Sequence, residues 1–472
     1  MEQSRGQRLI KFVVSGVIAA AFGCAPGINV AGPDSRQVDA AEAARGLDAI
    51  VAGIEGISPE LSGLQVVVLD GGVPVFTYAK GVARVGADGV QEPLLKTHKV
   101  RIASISKLVL TMGLMRLVEA GAVDLDADVS VYVGFPIRNP AFPETAITLR
   151  EILSHTSSIR DADRYWLGEG ETFSDFFVED GKYFDGASHF ASGEGKGPGR
   201  YFEYSNLNFG IAAAVIERMS EERFDQYMQT HVFAPLGLHV GFSPCEITRR
   251  DPNLLASLFR RNNEEGDWTP DGPWRAQVDG ARIGCYVGMP AIDRDDAPPE
   301  SYLEGYVVGS NPTFFSPQGG LRASAEDLSA IMRLLINGGE MNGVRILRQD
   351  TVDAMLMPVW RYNPSAPNGT TTGTDQTDGP FAGLMTSYGL SVNLADLQAW
   401  GLTKDRRIVA GHLGEAYGLL GQFWFDPQTG DGIVALITGT ADNPETAPVG
   451  TSSLYRPEEE ILKWWLATFD VE

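Results

Sequence analysis

Between Ser106 and Ala120 the chain reads Ser-Lys-Leu-Val-Leu-Thr-Met-Gly-Leu-Met-Arg-Leu-Val-Glu-Ala, apolar on nearly every face of a helix. A helix of this kind has no solvent side, so the fold has to surround it. Gly121 stands where a C-terminal glycine cap belongs. Such a helix needs a large core around it, and 472 residues at 43% hydrophobic and 21% charged supply one. Length alone would allow two to four ordinary domains.

Charge narrows the function classes. The chain has 38 Lys+Arg against 61 Asp+Glu, a net charge of −23. A polyanion is repelled by such a surface and no basic patch interrupts it, which excludes nucleic acid as a partner. No apolar run reaches the roughly 20 residues of a membrane-spanning helix.

The first residues read as a leader. Arg5, Arg8 and Lys11 precede an uncharged, mostly apolar stretch from Phe12 to Gly23, the layout of a secretory signal peptide over residues 1–24. Ala21-Phe22-Gly23-Cys24 is similar to a bacterial lipoprotein box, although Ala and Phe stand where that family prefers Leu and a small residue. Lipidation of Cys24, with a membrane tether, and ordinary cleavage near Gly23 both remain open. Either sends the protein to the periplasm or outside the cell. Cys24 aside, two cysteines remain, Cys245 and Cys285. In an oxidising compartment they are a candidate disulfide, with two buried free thiols as the alternative.

After a small-residue tether and a first helix over Ser35–Ile54, Leu64–Leu69 and Val73–Lys80 read as a hairpin turned at Asp70-Gly71-Gly72. Thr148-Leu149-Arg150-Glu151 is a capping box that opens a helix. Further helices are predicted over Asn208–Ser220, Glu222–Phe233, Ser324–Gly338 and Glu458–Phe469, and a second hairpin over Leu419–Phe425 and Ile433–Thr438. Residues 246–316 read as a long irregular insertion and 363–379 as a loop too long for a mere connection. Strands at both ends with helices between them predict an α+β fold, its antiparallel sheet built from both termini and a helical region, about 108–320, inserted within residues 59–472.

Three groups of residues bear chemistry. Ser104 and Lys107 are one helical turn apart and can touch. A serine hydroxyl needs a base to become a nucleophile, and a lysine is that base only when neutral. Burial against an apolar helix depresses its pKa toward that state. Tyr204-Ser205-Asn206 offers a phenol to relay a proton and an amide to orient a carbonyl. His412-Leu413-Gly414 lies near the C-terminal hairpin, where His412 could give a substrate carboxylate a hydrogen bond or a positive charge and Gly414 would admit a substrate backbone. Taken singly, each has a bland structural explanation: a capping serine, a packed tyrosine, a structural histidine.

In this order the three resemble the motifs of the serine penicillin-recognising enzymes, and the chain looks like the class C β-lactamase-related group of D-Ala-D-Ala carboxypeptidases, D-aminopeptidases, β-lactamases and carboxylesterases. Arg101-Ile102-Ala103, Leu153-Ser154-His155-Thr156-Ser157, Gly319-Gly320-Leu321 and Ser324-Ala325-Glu326-Asp327-Leu328 are also similar to that family, so the resemblance spans residues 60 to 470. No G-x-S-x-G or H-E-x-x-H motif competes.

The resemblance implies a β-lactamase/transpeptidase-like fold and an exported hydrolase that cleaves an amide or ester through an acyl-Ser104 intermediate. Lys107 or Tyr204 would be the base, and Tyr204 would carry the proton to the leaving group. Asn206 would hold the acyl side chain, and the backbone N–H groups of Ser104 and Glu415 would form the oxyanion hole. No metal or organic cofactor is implied. The partner would be a small-molecule or peptide substrate. His412 stands where class C β-lactamases carry Lys, which favours a D-amino-acid peptidase, carboxypeptidase or esterase over a β-lactamase. The rival of another class is a catalytically idle, penicillin-binding-like scaffold of the envelope.

Overall fold

The computed structural model describes residues 38–469, except 87, 264, 281–284, 286–299, 373–381 and 447–449. The leader, the tether and Cys24 lie outside the described residues. The first helix, α1, runs Ala40–Ala52. It begins later than Ser35 because the Asp39 carboxylate accepts from the N–H groups of Ala41 and Glu42.

Two strands, β1 (Leu61–Asp70) and β2 (Val73–Val85), form the predicted hairpin. The apolar helix α2 spans Ile105–Glu119 and α3 spans Leu207–Ser220. The segment expected as a helix over Glu222–Phe233 is split into an α-turn, Phe224–Met228, and a π-turn, Gln229–Phe233.

Residues 246–316 depart from expectation. They contain two strands, β3 (Leu258–Arg261) and β4 (Trp274–Val278), paired antiparallel. Then come α4 (Ala325–Ile336), capped by Ser324, and strands β5 (Asn393–Asp396), β6 (Ile408–Ala416), β7 (Leu419–Phe425) and β8 (Gly432–Thr440). Helix α5, Arg456–Thr468, closes the chain.

The main sheet runs β5-β6-β7-β8-β1-β2, with short strands added at each edge. Every neighbour along that path is antiparallel, and β1 pairs with β8 from Leu61↔Thr440 to Leu69↔Gly432, so the two chain ends are joined at its centre. The last β7–β8 pair is Leu420↔Ile437, and β3 pairs in parallel with β8 beyond it, at Gly439 and Thr440. The inserted region is thus not wholly irregular: its hairpin extends the sheet where β7 has ended. Neither short strand has an alternating pattern long enough to announce itself.

Both faces of the sheet are covered, which is why β1 is buried along nearly its whole length instead of at alternate residues. Val66, Val68, Trp424 and Ile433 pack with Leu47 of α1 and Trp465 of α5 on one side. Val67, Leu69, Val434 and Leu436 pack with Leu108 of α2 and Met332 of α4 on the other. Cys245 and Cys285 are joined by a disulfide. Among the described residues no helix is long and apolar enough to cross a membrane.

Candidate active site

The segment before α2 is held by pairing of Val100–Arg101 with Arg322–Ala323. Ala103 then takes a left-handed φ of +46°, an unfavourable conformation for a residue with a Cβ, and turns the chain so that Ser104 heads the helix. Lys107 follows one turn later and is completely buried. Its Nζ donates to three acceptors: Ser104 Oγ at 2.8 Å, Asn206 Oδ1 at 2.8 Å and the Gln318 carbonyl at 3.0 Å. Among the described residues it has no ion-pair partner within 4.0 Å. Burial pushes its pKa down to about 7, against an opposing pull from the Asp161 charge.

Two of the three acceptors are carbonyl oxygens and cannot donate. When Lys107 is neutral, its lone pair therefore has a single proton donor to face, the Ser104 hydroxyl. Asn206 is oriented by Asp161: its Nδ2 donates to Oδ2 at 2.8 Å, which turns Oδ1 toward the lysine. Asp161 Oδ1 also accepts from Ser205 Oγ at 3.0 Å and from the Leu207 N–H at 2.9 Å, locking the turn into α3.

Tyr204 lies over Lys107, with Nζ 4.8 Å from the ring centroid. Its hydroxyl is buried without a hydrogen-bond partner among the described residues. Burial raises the phenol well above its ordinary pKa, while the nearby Ser104 hydroxyl pulls the other way. The ring also stacks on His155, with centroids 4.2 Å apart, and His155 Nδ1 accepts from the Ser205 N–H. Burial, followed by the charge of Lys107, holds His155 far below its usual pKa, so it is neutral.

His412 lies on β6, as expected, but it is not a cation. Its Nδ1 faces the Leu413 carbonyl at 2.5 Å, an acceptor only, so the ring proton sits there. Nε2 then accepts from the Tyr388 hydroxyl at 2.9 Å. Burial first and Lys107 second lower its pKa to about 3. The positive charge foreseen for a substrate carboxylate is therefore absent near neutral pH. Gly414 is also used differently. A Cβ there would collide with the Ile102 carbonyl oxygen, so the close approach it permits is to the chain's own segment leading to Ser104.

Ser104, Tyr204, Asn206, His412 and Glu415 line one cavity of about 970 Å³, and Lys107 is buried beneath it. The structure thus brings the three sequence groups together. Asp161, Gln318 and Tyr388 escaped the sequence reading, since nothing local marks an aspartate in Ser-Ile-Arg-Asp-Ala-Asp or a backbone carbonyl at Gln318. His155 lay within a noted segment, but its contact with Tyr204 spans the distance between two elements.

The family model described as Beta-lactamase matches residues 47–452. The D-alanyl-D-alanine-carboxypeptidase/endopeptidase AmpH of Escherichia coli K12 is 31% identical over 38% of this chain and 44% of its own. Esterase EstB of Burkholderia gladioli is 28% identical over 51% of this chain and 60% of its own. The chain therefore spans about half the length of these curated relatives. The D-amino acid amidase of Ochrobactrum anthropi SV3 shares the fold, with a TM-score of 0.60 and 18% identity over 92% of this chain and 100% of that one. With the motif order, the antiparallel sheet built from both ends and a match over most of its length, the chain belongs to the Beta-lactamase family, the group of serine hydrolases that its motifs resemble.

Proposed function

We propose that the protein is an exported serine hydrolase that opens an amide or ester bond through an acyl-Ser104 intermediate, with Lys107 as the base. The observation that carries this reading is a fully buried lysine, its pKa lowered to about 7, whose Nζ lies 2.8 Å from Ser104 Oγ. Tyr204 is the poorer base, because burial stabilises its protonated form.

Neutral Lys107 takes the hydroxyl proton as Ser104 Oγ attacks the substrate carbonyl carbon. The negative charge that develops on the carbonyl oxygen is held by the N–H groups of Ser104 and Glu415. Tyr204 gives its phenolic proton to the leaving group, the carbon–leaving-group bond breaks, and the Lys107 ammonium restores the phenol. Water attacks the acyl-enzyme by the same route in reverse, releasing the acid and free Ser104. The second N–H of Asn206 Nδ2 is the group that would meet the acyl part. A neutral His412 offers no anchor for a carboxylate, which argues against efficient β-lactam turnover.

Purified protein is assayed with a p-nitrophenyl ester, wild type against Ser104→Ala, with intact mass used to trap the acyl-enzyme. We expect activity and the acyl mass increment in wild type alone. A wild type no faster than Ser104→Ala across esters and amides would replace this reading with that of an idle envelope scaffold.

A further inference from the structure

The turn that ends at Gly320 presents three successive carbonyls to three buried cationic side chains. Gln318 accepts from Lys107 Nζ at 3.0 Å, Gly319 from Arg101 Nε at 2.9 Å and Gly320 from Arg322 Nη1 at 2.8 Å. The N–H groups of Gly319 and Gly320 close the turn, both donating to the Ser316 carbonyl, at 2.9 and 2.6 Å. Ser316 takes a left-handed φ of +49°, unfavourable for a residue with a Cβ. A Cβ at Gly320 would collide with the Phe315 and Ser316 carbonyl oxygens. A segment turned this tightly moves as one piece, so whatever fixes Gly320 also fixes the Gln318 carbonyl beneath the lysine.

Arg322 is that anchor. It is buried and is not part of the cavity wall. Nε and Nη2 donate to the two carboxylate oxygens of Asp279, each at 3.0 Å. Nη1 is shared between the carbonyls of Gly320 and, at 3.1 Å, Phe242. Asp279 directly follows β4, in a left-handed φ of +54°, and its own carbonyl accepts from Ser257 Oγ at 2.8 Å. Replacing a buried ion pair by neutral groups often changes stability little. What a guanidinium forked between a carboxylate and a carbonyl does supply is fixed direction as well as fixed distance.

We infer that Arg322 and Asp279 are positioning residues for the general base: the pair holds the Gln318–Gly320 turn so that Lys107 keeps its carbonyl acceptor and faces Ser104. This rests on the serine-hydrolase reading and assigns the inserted region a part in it, through the residue that ends its hairpin. Neither residue touches substrate. They act through the turn, and the turn acts on Lys107.

The test follows kcat/KM for p-nitrophenyl butyrate against pH, beside Tm, in wild type, Ser104→Ala, Arg322→Lys, and Arg322→Met combined with Asp279→Asn. The combined change removes both charges together, and asparagine tolerates the left-handed backbone. Arg322→Lys keeps a charge beside Asp279, but a single ammonium cannot fork to Gly320. A carbonyl holds an ammonium more strongly than a neutral amine, so loosening the Gln318 contact disfavours the charged form of Lys107. We therefore expect the acid limb to move to lower pH in both variants. Misplacement of about 1 Å costs on the order of 10²-fold, so kcat/KM on the plateau should fall at least about tenfold. If one variant fails to fold, the other decides. An acid limb that stays in place, whatever happens to Tm, makes the pair merely structural and overturns this inference alone. Absence of Ser104-dependent turnover in wild type overturns the hydrolase reading and the inference with it.

Discussion

A lysine that titrates near pH 7 makes proton removal from Ser104 a pH-dependent switch. Below about 7 Lys107 is an ammonium and donates to Ser104 Oγ; above it, the lone pair accepts the hydroxyl proton. We therefore expect kcat/KM for an uncharged ester to fall tenfold per pH unit on the acid side of an apparent pKa near 7. Lys107→Arg places a guanidinium that stays charged, and should cost about 10²- to 10⁴-fold at every pH. The Asp161 charge raises the lysine pKa, so Asp161→Asn should move the acid limb to lower pH. A pH–rate profile of each variant measures this, and an unmoved limb in Asp161→Asn would sever the proposed coupling. The Ser-Lys spacing was visible in the sequence. The charge state was not, because it depends on burial and on Asp161, which lies 54 positions away along the chain.

Between elements, the decisive contact joins β6 to the entry of α2. Gly414 lets the strand lie against the Ile102 carbonyl, which brings Glu415 and Ser104 into one cavity. Gly414→Ala has to push these elements apart. Misplacement of about 1 Å costs on the order of 10²-fold in rate, so kcat should drop at least that far while the far-UV circular dichroism keeps its native form. Retained activity would mean that the oxyanion geometry does not rest on this approach. Elements with local signals were legible: the Thr148 capping box starts a helix at Leu149, and Ser324 caps α4. Helix α1 starts at Ala40 because the Asp39 side chain caps it, a choice among several polar residues that the sequence around Ser35 does not make. The strands β3 and β4 carry no local signal because what holds them is pairing of β3 with the last residues of β8, Gly439 and Thr440.

Over the whole molecule, the sheet ties residues 61–69 to 432–440, and the Cys245–Cys285 bond closes a 40-residue separation in the inserted region. A loop of that length corresponds to about 4 kcal/mol by chain entropy. Cys245→Ser should therefore lower Tm, and reductant should lower the wild-type Tm toward that of the variant while leaving the variant unmoved. Thermal scans with and without reductant measure both. Equal Tm values for wild type and variant without reductant would remove the bond from the stability of the protein. Short-range chemistry was already legible along the chain: the buried helix from its unbroken apolarity, the capped helices, the hairpins, the Ser104–Lys107 turn and the order of three motifs that marks the family. The tertiary structure alone decided that His412 is neutral, that Gly414 serves the chain's own backbone, and that Asp161, His155, Gln318 and Tyr388 complete the site. Those outcomes arise from desolvation and from contacts between residues as far apart as Lys107 and Gln318, which no local pattern encodes.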